Sequence, residues 1–154
     1  MTIDVFVKQL CEHCGIDPET LSVTVDDSEE LITVNIQIPE EDSGRFIGFH
    51  GETLESIQRV LRVIFAKEYP EKKLVVNINQ YREERAAKLQ DLTRSVAERV
   101  LESGQPYMFQ SYLPAHERFI IHSTLSELAD GEKLESISDG DGKDRRLTIR
   151  LKQA

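Results

Sequence analysis

Gly48-Phe49-His50-Gly51 sets two glycines three apart inside RFIGFHGETLESIQRVLRVIF, residues 45–65, a run that otherwise favours helix. An interior glycine costs a helix about 1 kcal/mol relative to alanine. Yet Leu54, Ile57, Val60, Leu61, Ile64 and Phe65 resume a helical period directly after Gly51. A GxxG break lets the main chain bend tightly and lets a ligand's backbone approach with no Cβ in the way. It also aims the N–H groups that open the next helix at the loop, which suits phosphate. Taken alone, the pattern equally fits a packing notch between helices. Arg45 stands just before the loop. Between the glycines, Phe49 could stack on a base, and His50 could contribute charge. Glu52 opens the following helix, where a carboxylate competes with phosphate for the same N–H groups.

A second constellation lies in LPAHERFIIH, 113–122, where Arg118 and His122 are four apart. On a helix they share a face, so a guanidinium and an imidazole can address one ligand. An arbitrary RxxxH is otherwise an exposed arginine and an unrelated histidine. Near the C-terminus, Leu147, Ile149 and Leu151 alternate with Arg146, Thr148, Arg150 and Lys152. In a strand the two sets point to opposite faces. The cationic set is either a solvated face or a wall for a phosphate backbone.

Other chemistry-bearing patterns carry less. Cys11-Glu12-His13-Cys14 lacks the second ligand pair of a closed zinc site and sits at the end of a helix, with Cys14 on its apolar stripe, so buried or partly buried thiols are expected. DGDGKD at 139–144 would need a carboxylate at the twelfth position of a calcium loop, where Arg150 stands; a hairpin turn is the better account. His116 and Glu117 beside Arg118 have no nucleophile or paired carboxylate with them and read as exposed helix charges. No carboxylate cluster suited to a metal-dependent nuclease is visible.

The elements that must hold these groups follow from periodicity. Thr2 to Cys14 reads as an amphipathic helix with Ile3, Phe6, Val7, Leu10 and Cys14 on one stripe, stopped by Gly15. Leu21, Val23 and Val25, then Ile32, Val34, Ile36 and Ile38, alternate as a β-hairpin closed by Pro39. A short apolar turn at 45–47 precedes the glycines, the long helix runs to about Tyr69, and Leu74, Val76 and Ile78 make a third strand. Residues 2–79 thus read α-β-β-α-α-β. Leu89, Leu92, Val96 and Val100 mark a further helix ending at Gly104, followed by a strand candidate at 107–110. Pro114 opens another helix that runs to about Ala129, and a hairpin of 134–138 with 147–151 closes the chain.

Bulk composition sets the outer limits. The chain has 154 residues, 39% hydrophobic and 31% charged, enough for one domain or two small ones. No run approaches the ~18–20 apolar residues of a membrane span, no secretory signal pattern opens it, and two cysteines make no disulfide framework. A soluble intracellular protein is expected. The net charge of −9 argues against nucleic acid until it is mapped, because residues 1–43 hold one lysine against eleven carboxylates. Lys143, Arg145, Arg146, Arg150 and Lys152 against Asp144 make the C-terminal end locally basic.

The α-β-β-α-GxxG-α-β order resembles the type II (bacterial) KH domain, whose GxxG loop clamps the backbone of single-stranded nucleic acid. The Arg-xxx-His helix followed by a strand hairpin resembles the R-three-H domain, another single-strand binder. Both together, with PAHERFIIH and SDGDGKDRRLTI, resemble the Jag (SpoIIIJ-associated) family of bacterial RNA-binding proteins. The resemblance implies an α+β chain with a type II KH domain over 1–79, built on a three-stranded sheet, and an R-three-H domain over 80–154. It implies a non-enzymatic, cytoplasmic protein that binds single-stranded RNA, or single-stranded DNA by the same chemistry, through Arg45, Gly48, Phe49, His50, Gly51, Arg118, His122, Arg146, Arg150 and Lys152. No metal or cofactor is implied. A small KH-only protein partner and links to RNA chaperoning, cell growth and cell shape follow from the same likeness. Members usually begin with an additional N-terminal domain and linker, for which this chain has only Met1 to Cys14. KH loops usually carry Lys or Arg between the glycines, and the GFHG loop departs from that; the rival expectation is a protein-interaction adaptor.

Overall fold

The alternation in residues 22–37 forms a hairpin, β1 (Ser22–Asp27) and β2 (Leu31–Gln37) pairing antiparallel with Val23 opposite Ile36 and Val25 opposite Val34. β3 (Lys73–Ile78) adds to β2 in parallel, Val34 beside Val76, so β2 is central in a three-stranded sheet. Period-2 alternation buries Ile32, Val34, Ile36, Leu74, Val76 and Ile78 on one face. α1 (Ile3–His13), α2 (Glu40–Ile47) and α3 (Glu52–Ile64) contribute Val7, Phe46, Leu54 and Leu61 to the same core. The computed structural model describes residues 1–153, and the chain divides into two units, Met1–Arg82 and Glu83–Ala154.

The outer edge of β3 is sealed by side chains. Gln58, buried on α3, accepts the Val76 N–H at 2.9 Å, and Arg82 Nε donates to the Val76 carbonyl at 3.2 Å. Arg62 Nε donates to the Leu74 carbonyl at 3.0 Å. An edge strand otherwise offers such groups to any extended chain.

Three boundaries differ from the sequence reading. α2 is a full eight-residue helix where only an apolar turn at 45–47 was expected. Its first turn is Glu40, Glu41 and Asp42, favourable at a helix N-terminus but silent in apolar periodicity. α3 stops at Ile64 rather than near Tyr69, and Phe65 turns into the core just past its end. On α1 it is Cys11 that is buried while Cys14 is exposed, because the helix ends at His13 before the stripe reaches Cys14.

α4 (Tyr81–Ser103), whose first two residues belong to the first unit, leads in the second to β4 (Tyr107–Met108), α5 (Ala115–Glu127), β5 (Leu134–Asp139) and β6 (Arg146–Leu151). The sheet order is β4-β6-β5, both pairings antiparallel. Leu147 and Ile149 of β6 are buried with Val96 and Val100 of α4 and Ile121 and Leu125 of α5. Thr93 takes the core position on α4 and Leu92 is exposed, the reverse of the hydrophobic reading. The Thr93 hydroxyl donates to the Leu89 carbonyl within the helix at 2.7 Å, so its methyl can pack without an unsatisfied polar atom.

Candidate nucleic-acid interface

The GxxG turn sits between α2 and α3. Gly48 has φ +73° and ψ −175°, a region open almost only to glycine, and a Cβ there would fall 2.2 Å from Thr53 Oγ1. Gly51 has φ +83°, and a Cβ would meet the Tyr81 ring at 3.2 Å. Both glycines therefore answer first to the turn and its internal contacts. The Gly48 N–H donates to the Gly44 carbonyl and the Gly51 N–H to the Gly48 carbonyl, so both glycine amides of the loop are already used.

His50 is left-handed at φ 52°, unusual outside glycine. The Phe49 ring beside it is 59% exposed and meets the His50 imidazole edge-on at 4.0 Å. Arg45 Nη2 pairs with Asp42 at 2.6 Å, and its Nη1 donates to the Cys14 carbonyl at 3.2 Å. With Glu52 and Glu55 in the first turn of α3, the loop is an aromatic surface more than a cationic one.

In the second unit Arg118 and His122 lie on one face of α5, as their spacing predicts. Arg118 Nη1 donates to the Leu113 carbonyl at 3.4 Å, across the start of the helix. His122 Nδ1 hydrogen-bonds Ser136 Oγ on β5 at 3.0 Å, which fixes the ring and leaves Nε2 on its far side. On the His122 side of this pair a groove of about 470 Å³ runs between α5 and β5, lined by His122, Ser126, Glu132, Leu134, Ser136 and Lys152 among others.

The structure separates the remaining cations. Ser136 stands opposite Ile149 on the helix-facing side of the sheet, whereas Arg146 and Arg150 alternate to the other side. Arg150 Nε pairs with Glu135 at 2.8 Å, and Arg146 Nη1 donates to the carbonyls of Lys143 and Arg145. Only Lys152, just past β6, joins His122 at the groove.

Glu117 corrects the sequence reading most sharply. Far from being an exposed helix charge, it is fully buried, and Arg85 of α4 grips it in a fork, Nε to Oε1 at 2.8 Å and Nη2 to Oε2 at 3.1 Å. Its signal was available in the period Glu117, Ile121, Thr124, which places it on the core stripe. The pair pins α5, and with it Arg118 and His122, against α4. Ser136 was also missed; no spacing rule links it to His122 without the strand register.

A KH-type sheet unit with a GxxG turn, followed by a helix-on-sheet unit carrying Arg-xxx-His, defines a two-module protein of the KH and R-three-H class. Residues 4–78 match the family model of the KhpA/KhpB KH domain and residues 87–151 that of the R-three-H domain. The RNA-binding protein KhpB of Streptococcus pneumoniae is 32% identical over 135 residues, 87% of this chain and 40% of that protein. KhpB of Lactiplantibacillus plantarum is 28% identical over 152 residues, 96% of this chain and 45% of its own length. That of Clostridium symbiosum is 26% identical over 149 residues, covering 64% of its length. The chain belongs to the KhpB (Jag) family, and it spans 40 to 64% of the length of these relatives. No helix among the described residues is long and apolar enough to cross a membrane.

Proposed function

We propose that this chain is a non-enzymatic, single-stranded RNA-binding protein whose principal seat is the α5 face of the second unit. The observation that carries this is the presentation of Arg118 and His122 on one face of α5, His122 being held by Ser136 and lining a groove with Lys152. Arg118 offers a planar fork to phosphate, and Lys152 offers a mobile point charge. Arg146 and Arg150 lie on the opposite sheet face and serve at most a passing strand. In the KH unit, Gly48 to Gly51 present Phe49 for stacking, with Arg45 able to exchange Asp42 for phosphate. The relatives' shared description as RNA-binding proteins supports the ligand class. Tethering the two modules raises the effective concentration of the second contact once the first is made. A cytoplasmic role in post-transcriptional regulation or RNA chaperoning, tied to growth and cell shape, extends the same reading; single-stranded DNA is the related ligand.

A second reading has its own observation. Val60, Val63 and Ile64 leave an aliphatic stripe exposed on α3, suited to a protein contact such as a small KH-only partner. An adaptor of that kind would capture its partner without RNA.

Fluorescence anisotropy with labelled single-stranded RNA across about 50 to 200 mM salt tests the main reading. Single strands give a log–log slope of about −0.7 per phosphate neutralised, so a few contacts should give roughly −2 to −4. Arg118→Ala with His122→Ala should weaken binding without unfolding the chain; unchanged affinity removes the site. Absence of binding at the lowest salt defeats the reading and leaves the adaptor.

A further inference from the structure

Of the six phenylalanines, Phe6, Phe46, Phe65 and Phe109 pack into or against the two cores. The other two, Phe49 and Phe119, are 59% and 69% exposed, and among the described residues only Phe49 of the two has a ring contact, with His50. Phe119 falls off the core stripe of α5, which is Glu117, Ile121, Thr124 and Leu125, and lies on the polar face one turn before His122. A single exposed aromatic ring is common and needs a second observation to mean anything.

That observation is the outer edge of β5. Lys152 N–H bonds the Lys133 carbonyl, and Phe109 N–H bonds the Leu147 carbonyl. Antiparallel pairs alternate, so Glu135, Ile137 and Asp139 direct their main-chain groups to β6. Leu134, Ser136 and Ser138 direct theirs outward. The Leu134 N–H donates to the Gly131 carbonyl; among the described residues no hydrogen bond meets the outward main-chain groups of Ser136 and Ser138, in contrast to β3, where Gln58, Arg62 and Arg82 fill the edge. The open edge at Ser136 lines the groove beside His122, with Leu134 next to it.

We propose that the second unit reads unpaired nucleobases here: one base stacks on Phe119, and the next enters the groove beside His122 with its edge on the main-chain N–H and C=O of Ser136. Arg118 takes the phosphate between them. A flat heterocycle carrying an adjacent donor and acceptor matches both parts, a π-face for the ring and a paired donor and acceptor on the strand edge. The site deepens the single-strand RNA reading and rests on it. It turns a backbone seat into one with a base requirement.

Abasic scanning separates base from backbone. A short single-stranded RNA, intact or with one abasic nucleotide at each position in turn, is titrated by anisotropy against the full chain and against Phe119→Ala, Phe119→Tyr and Arg118→Ala. Because Phe119 is exposed, its replacement leaves folding intact. Phe119→Ala should weaken the intact strand by about 5-fold or more, the range of one lost base–aromatic stack, with the salt slope unchanged. Phe119→Tyr should restore affinity. The scan should find two adjacent sensitive positions for the parent chain, one of which no longer matters in Phe119→Ala. If Phe119→Ala binds within about twofold of the parent while Arg118→Ala is weakened, the base site is overturned and the RNA reading stands. If the parent chain binds no RNA at about 50 mM salt, both fall.

Discussion

Arg85→Ala strips a guanidinium from a carboxylate whose side chain is 1% exposed, while the arginine itself is 28% exposed. Removing one partner of a buried ion pair costs about 3–5 kcal/mol, because the remaining charge stays desolvated. Water can reach the arginine side, which places the expected loss near the lower bound, about 3 kcal/mol. In a unit the size of Glu83–Ala154, 1 kcal/mol corresponds to about 4–8 °C in Tm, so the second unit should melt at least ~12 °C earlier. Circular dichroism melts and urea titration read this directly, and an unchanged m-value would show that the unfolding transition itself is the same. The double variant Arg85→Met with Glu117→Leu removes both charges and keeps apolar volume. It should recover most of the loss, since apolar replacement of a whole buried pair is often neutral or stabilising. A loss under about 1 kcal/mol for Arg85→Ala, or a double variant no better than the single, would refute the claim that this pair pins α5.

Gly48→Ala forces a side chain into a glycine-only conformation and toward Thr53 Oγ1; a loss of about 1–3 kcal/mol is expected from the backbone alone, and Thr53→Ala should relieve only the Oγ1 clash in thermal melts, since Thr53 Cβ and main-chain N stay 2.9 Å from the new Cβ. Gln58→Leu preserves volume but leaves the Val76 N–H without its acceptor, so it should still cost about 1–3 kcal/mol in denaturant titration. For the cysteines, Ellman's reagent should label exposed Cys14 in the native chain and Cys11 only on unfolding. Burial pushes the Cys11 thiol up from 9.0 to about 11; the unfolded chain therefore loses that proton first as pH rises, the contribution to stability is intact below pH 9 and is lost between 9 and 11, and Cys11→Ala should show a flatter stability profile over that window.

The strands were legible because each buries one face, and period 2 survives in Ile32, Val34 and Ile36 without help from distant residues. The Arg118–His122 face was legible for the same reason, being local to one helix. What escaped depends on partners far along the chain. Glu117 is tolerable in a core only because Arg85, 32 residues earlier, reaches it; composition alone assigns a glutamate to solvent. Thr93 hides its hydroxyl on Leu89 and so outcompetes Leu92 for the core. Cys11 and Cys14 both fit an apolar stripe beginning at Ile3, and only the position of the helix end decides between them. The segregation of Arg146 and Arg150 from His122 follows from strand alternation, but which face the helices cover is fixed by packing.

Charge makes the short-range contacts decisive. The net −9 divides as −7 for Met1–Arg82 and −2 for Glu83–Ala154, so neither unit carries a general positive field. Part of the acidity is paired: Asp27 with Lys72, Asp42 with Arg45, Glu55 with Arg82 and Glu135 with Arg150. At 0.15 M salt charges farther than about 8 Å are largely screened, so under the proposed reading a polyanion on α5 would be governed by Arg118, Lys152 and their immediate neighbours. Few phosphate contacts then limit the electrostatic share of affinity, and the remainder must come from groups indifferent to salt. Exposed Phe49 and Phe119 are the groups of that kind on each unit. Raising ionic strength should therefore weaken the chain's hold on RNA less than it would for a basic KH loop, and removing both rings should cost more than removing the same number of cations.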